Sequence, residues 1–508
     1  MPHAAAPLRH APLALLLLAA LPGCKDQKKE ATGGGDQPAP AVPAPRGQVA
    51  PSGAGAIGKA GGEAPPLPPD PGGKGGVHAW SIRFGGTQAD SGRRVAAAPD
   101  GHLFAVGTVQ EKAAFGDAIS LESEGMDGFL ARLGPDGAVQ WALRMGGEGQ
   151  DIASDVAVDP RGNAVVTGWF ATSLELGDGA LKSAGSDDLF VAAIDPQGRR
   201  VWAHRFGGPD SDGGDGVAVD ASGNIAVIGS YRSEIDVGKQ GFVAGGSTDV
   251  LLIVLDARGE LKWARTFGSI GPDEGRAVGF DQSGNLYALV EFSRAVDFGG
   301  GPLTSAGNRD MAVVKLAPDG THLWSRRFGS QLDELAVGLA VDPSGSVLLT
   351  GSFDDVLDLG AGEPMRTAGR SDVFVAKLGP DGATRWARQL GDTDEDIGAD
   401  ITSDAFGNVY VTGWYWKTLR HGAEALTSAG KKDAFLIAMS PDGQPLWGKR
   451  FGGAEDDYGR GVAAGTDAVH LIGTYHVAID LGGGELTAAK AERASIPYGD
   501  VFVATWTR

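Results

Sequence analysis

The chain has 508 residues, 82 of them Gly, with 42% hydrophobic and 21% charged residues and a formal net charge of −20. This composition fits a turn-rich all-β protein rather than a disordered chain, and the charge disfavours nucleic acid and anionic lipid as partners of the folded part while favouring cations. The sole cysteine, Cys24, excludes an intrachain disulfide, and beyond the first two dozen residues no stretch is apolar for the roughly 18 residues that a membrane-spanning helix needs.

Residues 1–23 have the pattern of a secretory signal: Arg9 is the positive start, Leu13 to Leu21 an apolar run, and Leu21-Pro22-Gly23-Cys24 a processing site. That site resembles the bacterial lipobox, with Pro22 in place of the usual small residue. The resemblance implies lipidation at Cys24 and retention on a cell-envelope membrane, the outer membrane being expected; the plain alternative is an ordinary signal with an incidental cysteine. Residues 24–77 are rich in Gly, Pro and Ala without apolar periodicity, so they are expected to be a flexible tether. Its reach would be roughly 40 Å.

Residues 78–508 are built on one phrase, Trp-Ser-Ile-Arg-Phe-Gly-Gly at Trp80 to Gly86, which returns from Trp141, Trp202, Trp263, Trp324, Trp386 and Trp447. A period of about 61 residues is the signature of a repeat architecture. In the second unit, four segments have strand character: Asp155 to Asp159, Ala164 to Phe170, Asp188 to Asp195, and Arg200 to Phe206, which carries the next copy of the Trp phrase. Tight turns at Asp159-Pro160-Arg161-Gly162-Asn163 and Pro196-Gln197-Gly198 separate the first pair and the last pair. Four antiparallel strands per unit, without helical periodicity, predict an all-β fold: a seven-bladed β-propeller. The first strand carries a small residue in nearly every copy (Ala96, Ala157, Ala218, Gly279, Ala340, Thr402, Ala463), as the crowded axis requires, beside an apolar column beginning with Val95. The Trp column is expected to fill the outer gap between blades.

The motifs Phe-Gly-Gly, Asp-Pro-x-Gly-Asn, Ser-Ala-Gly-x-x-Asp-x-Phe-Val-Ala and Pro-Asp-Gly-x-x-x-Trp make the repeats resemble the seven-bladed β-propeller (SBBP) repeat family, which implies a bacterial exported or surface protein without assigned activity. The departures are local: Met145 and Leu390 replace the Phe, and Ser269, Ser330 and Asp392 the second Gly. Ile194 to Trp202 also looks like the tryptophan-docking motif of quinoprotein propellers and of the propeller lipoprotein of barrel-assembly machinery.

No metal triad of histidines, nucleophile elbow or phosphate-binding glycine loop is apparent, so no catalytic residue is assigned. One column is acidic in every copy: Asp90, Asp151, Asp212, Asp273, Glu334, Asp396 and Asp457. It is read either as carboxylates accepting backbone N–H bonds between blades or as a cation ring for calcium at the mouth of the axis. No other cofactor is expected. The last unit ends after its third strand, so the orphan Ala79 to Phe84 is expected to complete it and close the ring. The function expected is that of a monomeric, non-catalytic binding or scaffold module, anchored to the membrane by lipid. Its partner, a protein or polysaccharide rather than nucleic acid, would meet the face bearing the long loops 171–187, 233–248 and 476–499. The alternatives are a propeller enzyme, lyase or hydrolase, and a quinoprotein-like or barrel-assembly protein.

Overall fold

The computed structural model describes residues 75–177, 179–489 and 498–508. The signal segment, Cys24 and the tether up to residue 74 lie outside the described residues, as do residues 490–497. Every regular element among the described residues is a β-strand. The strands form five four-stranded sheets, three two-stranded ribbons and one eight-stranded sheet, all paired antiparallel.

In the second repeat the sheet order follows the chain: Asp151–Val158, Ala164–Glu175, Ala180–Ile194, Arg200–Phe206. The tight turns form as their residues dictate. Asp159 Oδ1 accepts the N–H groups of Arg161 and Asn163 at 2.8 Å each, and Asn163 Nδ2 donates to Asp159 Oδ2 at 2.8 Å. The expected long loop 171–187, however, is mostly strand. Ser173-Leu174-Glu175-Leu176 keeps the period of two, so strands two and three run on as a hairpin arm whose Leu174 and Leu176 are buried against Phe104 and Met145 of the preceding sheet. Loops 233–248 and 476–499 likewise contain short hairpins, Glu234–Val237 with Gln240–Val243 and Ala478–Asp480 with Glu485–Thr487. The arms thus cover the junctions between sheets.

The first strands of successive sheets lie against one another. They are Ser91–Ala97, Asp151–Val158, Gly213–Val219, Glu274–Phe280, Glu334–Val341, Asp396–Ser403 and Tyr458–Ala464, and the last of them also meets the first. Glycines permit this approach: a Cβ on Gly461 would lie 2.8 Å from the Cα of Arg94, and one on Gly338 3.1 Å from the Cα of Asp400. The apolar column from Val95 to Val462 is buried, and the small column beside it forms part of the axial wall.

Each Trp reaches the following sheet. The indole Nε1–H of Trp80, Trp141, Trp263, Trp324 and Trp386 donates to the carbonyl of Pro135, Pro196, Pro318, Pro380 and Pro441 at 2.9–3.0 Å. Its ring lies over the turn glycine beyond that proline, so a Cβ on Gly443 would come within 2.7 Å of Trp386. Packing and a hydrogen bond therefore coincide at these five of the seven tryptophans.

His78–Gly86 pairs with Asp500–Thr507, Trp80 opposite Thr505 and Phe84 opposite Val501, as fourth strand beside Tyr458–Ala464, Ala468–Tyr475 and Asp500–Thr507. Its end also pairs with the arm of the first repeat, Phe84 opposite Phe115, which links two four-strand sets into the eight-stranded sheet.

Candidate binding site

The acidic column does not line the axis. Asp90, Asp151, Asp212, Asp273, Glu334, Asp396 and Asp457 are between 0% and 2% exposed and sit where one sheet hands over to the next. Asp90 shows the arrangement: Oδ2 accepts Gly86 N–H at 2.7 Å and Oδ1 accepts Gln110 N–H at 2.9 Å, tying the loop between sheets to the adjacent arm. Asp151, Asp212, Asp273 and Asp457 make the same two bonds, to Gly147 and Ala171, Gly208 and Arg232, Ser269 and Ser293, and Gly453 and His476. Glu334 and Asp396 accept from Ser330 and Asp392.

A second acidic column faces the first: Asp127, Asp188, Asp249, Asp310, Asp372, Asp433 and Asp500, each buried. The first Gly of the repeated phrase lets the two columns meet. A Cβ on Gly391 would lie 2.5 Å from Asp372 Oδ1 and 2.8 Å from Asp396 Oδ2, and one on Gly85 2.6 Å from Asp500 Oδ1 and 2.9 Å from Asp90 Oδ2. The second column is partly compensated from the fourth strand. Arg144 reaches Asp127 at 2.9 Å, Arg205 reaches Asp188 at 2.6 Å, Arg450 reaches Asp433 at 2.9 Å and Arg83 reaches Asp500 at 3.3 Å; Arg327 pairs with Asp310, and Gln389 bonds Asp372. Thr266 stands at the corresponding place beside Asp249.

Burial, opposed by the backbone bonds and reinforced by the facing carboxylate, pushes Asp273 up to about 6, Asp90, Asp151, Asp212 and Glu334 up to about 7, and Asp396 and Asp457 up to about 8. The facing carboxylate thus favours the protonated form of its first-column neighbour. Each first-column carboxylate faces one second-column partner of the preceding sheet, so the seven do not converge on a shared calcium ion, and no group of three or more His, Cys, Asp or Glu among the described residues could hold a metal ion. The second column was visible as the Asp of Ser-Ala-Gly-x-x-Asp, but its pairing with the first is a tertiary fact.

The axis instead encloses a cavity of about 300 Å³, lined among others by Arg94, Asp155, Asp215, Arg276 and Asp400. Each inner strand carries a bulge after its second or third residue, as between Gly92 and Arg94 or Gly459 and Gly461. The bulged residues are Arg93, Ser154, Asp215, Arg276, Val337, Ala399 and Arg460. Periodicity could not flag them because they differ from copy to copy. Two axial aspartates are committed to the next strand: Asp155 Oδ2 accepts Val217 N–H and Asp400 Oδ2 accepts Val462 N–H, both at 2.8 Å. Arg276 Nη2 contacts Glu274 and Glu291, each at 2.6 Å.

Four-stranded antiparallel sheets set side by side by their first strands, with a tryptophan docked from each onto the next, define a β-propeller-repeat protein. More particularly, residues 385–414, within one copy of the repeated unit, match the model of the SBBP beta-propeller repeat. It is 30% identical over 185 residues to the regulatory protein FlaEY of Caulobacter vibrioides, covering 34% of this chain and 19% of that protein. It is 23% identical over 227 residues to an uncharacterized WD repeat-containing protein of Acanthamoeba polyphaga mimivirus, covering 42% of this chain and 13% of that one. The chain thus spans less than a fifth of the length of either relative. Among solved structures, the WD40 domain of Neurospora crassa Pan2 is similar at 11% identity and a TM-score of 0.43, over 87% of this chain and 97% of that chain.

Proposed function

We propose that the protein is a cell-envelope lipoprotein whose lipid on Cys24 anchors a closed seven-bladed propeller, and that the propeller is a binding or scaffold module. The two halves of the eight-stranded sheet count as separate blades, the first repeat and the last, which gives seven. The observation that carries the reading is the division of labour within each repeat. Buried carboxylate pairs, docked tryptophans and small axial residues recur and hold the sheets, whereas the exposed parts of the arms and the axial side chains vary from repeat to repeat. Variable groups on a repeated rigid frame are the usual seat of recognition.

The anchor is tested by labelling cells with a radioactive fatty acid. The wild-type chain is expected in the membrane fraction with label incorporated, and Cys24→Ser in the soluble fraction without it; a Cys24→Ser chain that keeps both label and membrane association overturns the anchor. Recognition is tested by titrating the purified chain against polysaccharide fractions and exported proteins, beside a variant with arm residues 177–179 replaced by Gly-Gly. Equal binding of every partner by both would count against that arm.

A further inference from the structure

Where the last repeat meets the first, Arg94 lines the axial cavity and two further arginines, Arg93 and Arg460, adjoin it. Arg94 Nη1 donates to the carbonyl of Arg460 at 2.6 Å and to that of Arg93 at 3.2 Å, drawing the two bulged residues together. Among the described residues neither Arg93 nor Arg460 has an ion-pair partner or a hydrogen-bond acceptor, and Nε of each is buried without one. A third donor, Trp414 Nε1, is buried without an acceptor in the same corner. The guanidinium of Arg460 lies 4.9 Å from the ring centre of Trp414 and 4.6 Å from that of Tyr458, which leaves its N–H edge free to donate.

Nearby carboxylates do not fill the need. Asp400 Oδ2 lies 3.9 Å from Arg94 Nε but is bonded to Val462 N–H, and Asp215 faces both Arg93 and Arg276 without a close ion pair to either. Burial, and after it the neighbouring arginines, lower Arg93 to about 10 and Arg460 to about 9. Buried donors left unbonded and half-buried cations left unpaired are each unfavourable, and here they coincide in a protein of net charge −20. Elsewhere the bulged position carries Ser154, Asp215, Arg276, Val337 or Ala399, and Arg276 has carboxylate partners. The unpaired cations belong to this one junction.

We propose that this junction is an oxyanion-binding site, which takes the carboxylate or phosphate group of a small ligand entering the axial channel. Planar guanidiniums present paired donors that match such groups, and about 300 Å³ is at the lower end of the volume of small-molecule sites. The site does not depend on the lipid anchor or on any partner of the arms.

The test titrates the purified full chain, in buffer free of competing anions, with inorganic phosphate and separately with acetate, following heat and tryptophan fluorescence. Saturable one-site binding of at least one anion is expected, phosphate being favoured by a phosphorylated ligand and acetate by a carboxylated one. Arg93→Gln and Arg460→Gln should each weaken it by about tenfold or more, as loss of a charged hydrogen bond implies, and Arg460→Lys by less. Neither arginine donates a hydrogen bond in the free protein, so Arg93→Gln should fold with an unchanged or higher melting temperature, and Arg460→Gln, which also gives up the ring contacts with Trp414 and Tyr458, with one lowered at most slightly. At a given concentration the bound anion should raise that temperature more in the wild type than in either variant. Failure of both anions to saturate the wild type, or wild-type affinity in both Gln variants, overturns the proposal.

Discussion

At the scale of single residues, the paired carboxylates set the response to pH. An acid whose folded pKa exceeds its unfolded value keeps its proton more tightly when folded, so raising the pH from about 4 towards 8 favours the unfolded chain. The first column has shifts of this sign, reaching about 8 at Asp396 and Asp457. Histidines act in the opposite sense at lower pH. Burial depresses His470 to about 4 and lowers His78, His204 and His421, so their contribution is lost as pH falls below about 6.5. The melting temperature should therefore rise as pH is lowered from 8 to 6.5 and rise less steeply below about 6.5, where the four histidines oppose the seven carboxylates; a flat profile between 8 and 6.5 would show that the pairs share no proton. Asp457→Ala leaves the N–H groups of Gly453 and His476 unbonded. It should cost about 1–3 kcal/mol by denaturant titration at pH 6 and flatten the pH profile. The identity of every column residue was legible, because the same residue type returned at the same spacing. What each column touches was not, since Asp90 meets Asp500 only when the chain ends come together.

At the scale of elements, the arms are bent by a residue that breaks a local rule. Glu111, Thr172, Ser233, Arg294, Asp355, Lys417 and Val477, one per repeat, have φ between 53° and 66°. At Glu111, Thr172, Asp355 and Lys417 this residue is the bulge in the extended second strand. A left-handed backbone is unfavourable for an L-residue, most of all for a β-branched one. Val477→Gly should thus raise stability by up to about 1 kcal/mol, the relief exceeding glycine's extra unfolded entropy; a lower denaturation midpoint would mean that the valine side chain contributes more than its backbone costs. These bulges explain why the strand bounds read from sequence stopped short. Apolar alternation fixed Arg200 to Phe206 to the residue, but in the arm it was interrupted by the bulged Thr172 and by the turn glycines Gly177 and Gly179, so Leu174 and Leu176 looked like loop. The axial residues escaped for a different reason: a repeat is detected by what stays constant, and recognition uses what varies.

At the scale of the whole molecule, the last sheet depends on both ends of the chain. Deleting Val77 to Phe84 removes its fourth strand together with Trp80, docked on Pro135, and should lower the melting temperature and promote self-association through the uncovered edge of Asp500–Thr507. A synthetic peptide spanning Val77 to Gly86, added in trans, should restore part of the loss. An unchanged midpoint would count against a closed ring. The same arrangement has a consequence in time. Val77 N–H donates to Thr507 Oγ1 at 3.1 Å across a sequence separation of 430 residues. At typical rates of synthesis those ends are made about 20 to 90 s apart, so the earliest strand of the propeller waits for the latest one with its hydrogen-bonding edge open. During that interval a second nascent chain presents the same edge, and the complement that each strand awaits is also available from its neighbour, which makes exchange of the N-terminal strand between copies the characteristic error of this fold.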